Sequence, residues 1–196
     1  MQHLRCLTKK DERMTKMKIT LSLLMLLFSF QSWSKIPDLQ TVDYVELDHY
    51  LGKWYELARF EQKFQKGCTA TTAQYSLRKD GDIKVVNSCR LESPNGELKE
   101  SEARAWIVDD TTNAKLKVQF FLTRIRLPFF TGNYWILDLG DEQNGPYTHA
   151  IVGDDSGDYL WILARTPNVS SQKYEELLNK AKGLGFDTSK LLKTQH

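Results

Sequence analysis

The sequence predicts an all-β fold: an eight-stranded antiparallel up-and-down β-barrel with one C-terminal α-helix packed on its outside. Three observations predict it. From Gly52 onward, eight short runs rich in β-branched and aromatic residues follow one another, several with clean apolar/polar alternation. The segments between them are short and made of turn residues, leaving no room for crossover helices, so neighbouring strands must pair antiparallel. After the eighth run comes a stretch with a single apolar stripe at helical spacing. A closed meander removes the unpaired edges of a sheet and encloses an interior able to hold one small ligand.

The chain has 196 residues, which at roughly 150 residues per domain suggests one domain and an extension. The extension is N-terminal. Lys16 and Lys18 precede an uncharged, mostly apolar run over residues 19–30, and Ser32-Trp33-Ser34 follows with small flanking residues. This is the form of a cleaved secretory signal peptide, too short for a membrane span. The expected division is an N-terminal extension and signal peptide over 1–34 and a single domain over 35–196. Met14 or Met17 would give a more usual start for such a peptide. Residues 1–34 hold six of the 27 basic and two of the 25 acidic residues, so the remainder carries a net charge of −2. No basic excess is left to gather on one face, which argues against nucleic acid as a partner. The 11 Gly and 5 Pro are too few for a collagen-like, low-complexity or disordered chain.

The predicted strands span residues 52–60, 69–78, 83–90, 99–108, 116–122, 133–139, 147–152 and 159–165, with turn chemistry at Lys79-Asp80-Gly81-Asp82, Pro94-Asn95-Gly96, residues 109–113, residues 141–145 and Asp154-Asp155-Ser156-Gly157. Strand parity assigns the inner face. Leu116, Val118 and Phe120 alternate with polar residues, as do Thr71, Ala73, Tyr75 and Leu77, and Ile83, Val85 and Asn87 continue that face across the hairpin. The expected ligand-binding lining is Ala73, Tyr75, Val85, Asn87, Val118, Phe120, Tyr134, Ile136, Trp161 and Leu163. The eighth run is apolar on both faces, so its outer side needs a cover. The candidate is the helix that follows, with Ser170 as N-cap, a stripe of Tyr174, Leu177, Leu178, Ala181 and Leu184, and Gly183 and Gly185 to stop it. The rival use of that stripe is binding a partner. A short strand over 190–194 ends the chain.

Gly52-Lys53-Trp54 at the start of the first strand resembles the G-x-W signature of the lipocalins. Tyr134-Trp135-Ile136-Leu137-Asp138, followed by Ala150-Ile151-Val152, resembles the second conserved region of that family. Tyr159-Leu160-Trp161-Ile162-Leu163-Ala164-Arg165 resembles the third, with its arginine before a turn. The three occur in family order, the resemblance covers about residues 42–194, and it is closest to the bacterial lipocalins and their apolipoprotein D-like relatives. It implies a barrel closed at one end and open at the other, with an apolar cavity. Trp54 then fills the closed end and Arg165 lies on its indole, a cation–π pair worth ~1–2 kcal/mol. Gly52 admits the tight turn into the strand. These three are structural; the alternative is that Arg165 binds an anionic ligand.

Many bacterial lipocalins carry a lipobox. Here Cys6, Cys68 and Cys89 are the cysteines, none directly after the apolar run, so a soluble periplasmic or secreted protein is expected. Residues 122–131 are longer and more basic than the usual loop, and the resemblance puts them at the barrel mouth. Arg124, Arg126 and Phe129 are assigned there to the headgroup of a bound lipid or to transient contact with a membrane surface. Alternatively, the apolar residues plug the mouth and the arginines are solvated.

Cys68 and Cys89 flank the hairpin of the second and third strands and are expected to form a disulfide. Pairing Leu77 with Ile83 leaves the two cysteines out of register, so a bulge or loop slack has to absorb the offset; loop-closure entropy gives such a bridge ~3 kcal/mol. No G-x-S-x-G, P-loop, G-x-G-x-x-G or H-E-x-x-H motif occurs, and His3, His49, His149 and His196 lack metal-ligand spacing. No enzyme activity, metal or cofactor is expected. The function expected is binding, storage or transport of a small hydrophobic molecule, fatty acid or lysophospholipid above all, by a monomer or weak dimer. The alternative is a lipocalin-fold enzyme acting on a lipid-like substrate, which a free Cys or a His pointing into the cavity would favour. A haem or pigment carrier would need an inward His ligand that the sequence does not offer.

Overall fold

Residues 52–164 alternate between extended runs and tight turns because their side chains do, and the computed structural model shows the outcome as one sheet wrapped on itself. It describes residue 36, residues 38–140 and residues 145–196; the expected signal peptide over 1–34 and the expected turn over 141–144 lie outside the described residues. Among the described residues nine strands form the sheet: β1 (Gly52–Phe60), β2 (Cys68–Leu77), β3 (Ile83–Leu91), β4 (Leu98–Ile107), β5 (Lys115–Gln119), β6 (Gly132–Leu139), β7 (His149–Gly153), β8 (Leu160–Ala164) and β9 (Leu191–Lys193). Consecutive strands from β1 to β8 pair antiparallel, and β1 also pairs with β8, which closes the barrel. The eight predicted strands are all present. The fifth is shorter than expected: it ends at Gln119, and the chain turns away through Leu122, whose φ is 51°.

Closure is completed by the C-terminus. β1 pairs with β2 only over Gly52–Tyr55; beyond that β2 diverges, and β9 takes its place against Ala58, Arg59 and Phe60. The amide of Ala70 on β2 donates to the Gln195 carbonyl at 2.6 Å, and that of Thr194 to the Leu57 carbonyl at 2.9 Å. The terminal segment thus satisfies backbone groups on both strands that would otherwise face each other unpaired. The register of β2 and β3 runs unbroken from Leu77↔Ile83 to Thr72↔Ser88 and then shifts before Thr69. Ala70, at φ 45°, is the extra residue. That bulge takes up one residue of the cysteine offset; Cys68 stands opposite Leu91, and the bridge spans the rest diagonally, Cys68 and Cys89 forming a disulfide with their Cα atoms 5.4 Å apart.

A helix covers the side of the barrel that β8 leaves apolar. In α2 (Ser171–Gly183), Ser170 accepts from the Lys173 amide at 3.1 Å, and Gly185, at φ 96°, turns the chain back. A second helix, α1 (Leu47–Tyr50), precedes β1 and is numbered first in the chain. Leu177 and Ala181 pack with Leu57, Ile151, Leu160, Ile162 and Phe186 in a core of their own, outside the barrel. The stripe therefore docks on the barrel wall, and Lys180 adds an ion pair to Asp138 at 2.7 Å.

The segment around α1 crosses one end of the barrel. Val42 donates to the Ile136 carbonyl, Val45 to that of Thr112, and the Glu46 amide to the Tyr147 hydroxyl. Beneath it, Trp54 is fully buried and its Nε1 donates to the Tyr50 carbonyl at 2.8 Å. The Arg165 guanidinium lies 3.8 Å from the centre of the Trp54 ring and donates to the carbonyls of Lys53, His49, Tyr50 and Tyr147. Gly52 sits at φ 99°, and a Cβ there would lie 3.3 Å from Arg165 Nη1, so both its conformation and its lack of side chain are used. Arg165→Ala removes a cation–π contact and leaves several carbonyls short of a donor; it is expected to destabilise the fold by on the order of 3 kcal/mol, read as a lower urea midpoint with unchanged slope. A midpoint equal to that of the parent would show that Trp54 alone holds this end.

Candidate ligand-binding site

Because side chains on a strand alternate, the inward half of eight strands defines a cavity, and its volume is about 640 Å³. All ten side chains expected to form the lining do so, whereas Leu77, inward by parity, lies at the end of β2, is 59% exposed and does not line it. Phe120 does so from the rim: it lies past the end of β5, is 42% exposed and faces Phe64 at 6.2 Å between ring centres. The middle of the wall is apolar, built from Ala73, Val85, Ala105, Leu116, Val118, Ile136 and Leu163. Toward the mouth it turns polar, with Thr71, Asn87, Ser88, Glu100 and Ser101. The Thr71 hydroxyl is buried without a hydrogen-bond partner. Trp161 stacks on Tyr159 and donates to Gln65 Oε1 at 3.0 Å, so its indole edge is fixed beside the opening.

The floor is aromatic and polar together. Tyr50 and Tyr134 hydroxyls lie 2.6 Å apart and those of Tyr75 and Tyr134 2.9 Å apart, and all three side chains line the cavity. Burial, together with the Tyr75 phenol beside it, pushes the Tyr50 phenol well above the ordinary range. Burial likewise raises Tyr134, and it pushes Tyr75 up to about 12 against the lowering effect of its bond to Tyr134. The phenols therefore stay protonated. Tyr50 escapes a strand-parity reading because it precedes β1; only its closeness to the G-x-W motif marks it.

A second polar set holds the wall where β1 and β2 part. Glu56 and Arg59 are buried and paired at 2.7 Å. Glu56 also accepts from Thr194 and Gln65, and Arg59 donates to the carbonyls of Gln65 and Cys68. Among the described residues no histidine lines the cavity, and its two cysteines are joined to each other. No group of three or more His, Cys, Asp or Glu among the described residues is placed to hold a metal ion.

Residues 45–196 match the family described as a lipocalin-like domain. The chain belongs to the lipocalins. The outer membrane lipoprotein Blc of Vibrio cholerae is 41% identical over 150 residues, which is 76% of this chain and 82% of that one. Apolipoprotein D of Macaca fascicularis is 33% identical over 148 residues, 74% of each chain. Among solved structures, insecticyanin from the tobacco hornworm Manduca sexta superposes with a TM-score of 0.62 at 20% identity, covering 82% of this chain and 85% of that one, and shares the fold. For this lipocalin, the fold and the bacterial relatives support binding of a small hydrophobic ligand in the barrel.

The loop between β5 and β6 departs from the expectation for a lipocalin mouth. Arg124, Arg126 and Phe129 do not line the cavity. Arg104, Trp106 and Gln119 have outward parity, and the loop is folded down onto them. Buried Gln119 donates to the carbonyls of Phe121, Leu122 and Ile125 and accepts from the Leu127 amide. Arg104 donates to the carbonyls of Thr123 and Arg124. Arg126 pairs with the buried Asp82, which also pairs with Arg104, and its guanidinium lies 5.4 Å from the Trp106 ring centre. The assignment of Arg126 to a headgroup is thereby corrected: its charge is spent on Asp82 on the outer wall. Of the residues that would plug the mouth, Leu127, Phe129 and Phe130, none lines the cavity, and Phe129 at 94% and Phe130 at 67% exposure project to solvent. The sequence carried no signal for this clamp, since Asp82 and Gln119 look like ordinary turn and surface residues.

Burial works to raise the Asp82 carboxyl, but hydrogen bonds from Arg126 and Arg104 outweigh it and hold it below its ordinary value. A folded-state value below the unfolded one, near 4, means that Asp82 stabilises the fold above about pH 4 and that this is lost as pH falls through the folded value. Asp82→Asn is expected to cost about 2 kcal/mol at neutral pH by leaving the Arg126 guanidinium without a carboxylate and Arg104 with Asp80 alone. Urea melts across the acid range check it: the gap to the parent should shrink below about pH 4, and a gap independent of pH would remove the ion pairs from the account.

Proposed function

We propose that this lipocalin binds and carries a single-chain acyl lipid, a fatty acid or a lysophospholipid. The observation that carries the reading is the cavity itself, with an apolar middle wall and one open, polar-rimmed end. Its volume of about 640 Å³ lies within the usual range for small-molecule sites. Each buried methylene contributes ~0.8 kcal/mol, so a long acyl chain reaches micromolar affinity even after the costs of binding. The joined cysteines and the lack of a cavity histidine among the described residues favour binding over chemistry on the ligand.

The Cys68–Cys89 disulfide suits an oxidising compartment, and with the signal-like N-terminus it supports a soluble periplasmic or secreted location. Phe121, Leu122, Ile125, Phe129 and Phe130 are exposed along the loop beside the mouth. They fit brief contact with the lipid surface from which such a ligand is drawn.

Titration with palmitate and with lysophosphatidylcholine is expected to quench Trp161 fluorescence saturably in the micromolar range and to raise the thermal midpoint. Val118→Trp should abolish both responses while the protein stays folded by circular dichroism. Neither response with any acyl ligand would withdraw the reading.

A further inference from the structure

Tyr50, Tyr75 and Tyr134 form a linear chain of hydroxyls across the cavity floor, with Tyr134 in the centre. Three hydroxyls carry three protons, and two O···O contacts use two of them, whichever way the bonds run. One phenolic proton is therefore left over. Among the described residues none of the three hydroxyls has another hydrogen-bond partner. Tyr50 and Tyr75 are 3% and 6% exposed and Tyr134 is half-buried, so the spare proton is largely withdrawn from bulk solvent. A buried donor without an acceptor is costly. All three side chains face the cavity, and that is where the missing acceptor has to come from.

The charge below the floor says what kind of acceptor fits. Arg165 lies on the Trp54 indole, donates to the Tyr50 carbonyl, and its charge reaches the Tyr50 and Tyr75 hydroxyls. A positive charge half-buried under the floor favours negative charge on an oxygen placed above it. Among the described residues no carboxylate stands at the floor; Glu56 and Glu100, the acidic residues of the lining, belong to the polar set at the β1–β2 divergence and to the rim.

We propose that the three-tyrosine floor is a subsite for a carboxylate, so that a fatty acid enters carboxyl end first and its methyl end points to the mouth. The assignment rests on the acyl-lipid reading above and narrows it. A fatty acid can place its carboxylate on the floor, whereas a lysophospholipid, with its bulky headgroup, can send only its methyl end there.

Two measurements test it. Palmitate labelled with carbon-13 at the carboxyl or at the methyl end is bound to the parent protein, and a water-soluble gadolinium chelate is added. The carboxyl resonance is expected to be protected and the methyl resonance broadened. In the variant with Tyr50→Phe, Tyr75→Phe and Tyr134→Phe together, cavity shape is kept and every floor donor removed. Palmitate affinity should fall by about tenfold or more relative to lysophosphatidylcholine affinity, the value of a hydrogen bond to a charged group. A broadened carboxyl with a protected methyl in the parent, or equal losses for both lipids in the variant, would overturn the subsite and leave acyl-lipid binding standing. Failure of both lipids to bind the parent would withdraw the acyl-lipid reading and the subsite with it. The resonance measurement needs no variant, so it decides even if the triple substitution misfolds.

Discussion

A sheet closes on itself only if its first and last strands meet, and β1 carries that requirement here. Its nine residues are shared among β2, β8 and β9, and the bulge between Glu56 and Ala58 on the β8 side bends it enough to serve all three. Unpaired amides and carbonyls along any of these edges would be costly inside and hazardous outside. The buried Glu56–Arg59 pair belongs to the same constraint. A buried ion pair is weak evidence for stability by itself, since desolvation offsets much of the attraction. What this pair does is hold Gln65, Thr194 and the Cys68 carbonyl around the point where β1 and β2 part.

From closure follows the cavity, and from the differing ends of the barrel follows its polarity. One end is closed by α1, Trp54 and Arg165, which brings a cation beneath the phenols of Tyr50 and Tyr75. The other end stays open, edged by Phe64, Phe120 and polar side chains. An apolar sleeve between two polar zones holds a long chain by its area and leaves orientation to the few groups that form hydrogen bonds.

The β5–β6 loop shows how a surface can be decided by groups far away in sequence. Arg126 and Asp82 are 44 residues apart, and Gln119 gathers four backbone groups of the loop from an outward position on β5. With its carbonyls and arginine committed to the outer wall, the loop leaves the mouth uncovered and turns its apolar side chains to solvent. Of the two cations that a reading of charge and spacing puts at the mouth, Arg126 is thus taken by a partner that only the fold brings near.

What the sequence determined by itself is whatever depends on near neighbours. Alternation at period two placed eight strands within a few residues of where they lie and sorted Ala73, Tyr75, Val85 and Ile136 to the inner face; the N-cap at Ser170 and the stripe through Leu177 and Ala181 placed α2. The three motif regions added the family, the sealed end and the role of Arg165 on Trp54. Only the tertiary structure decided that β9 would fill the gap between β1 and β2, that Cys68 would reach diagonally to Cys89 past a bulge at Ala70, that Arg126 would turn to Asp82, and that Tyr50 would join Tyr75 and Tyr134. Each of these depends on distances between residues remote in the chain. Side-chain period is a local property, whereas a hydrogen-bond partner is fixed by the register and curvature of the whole barrel.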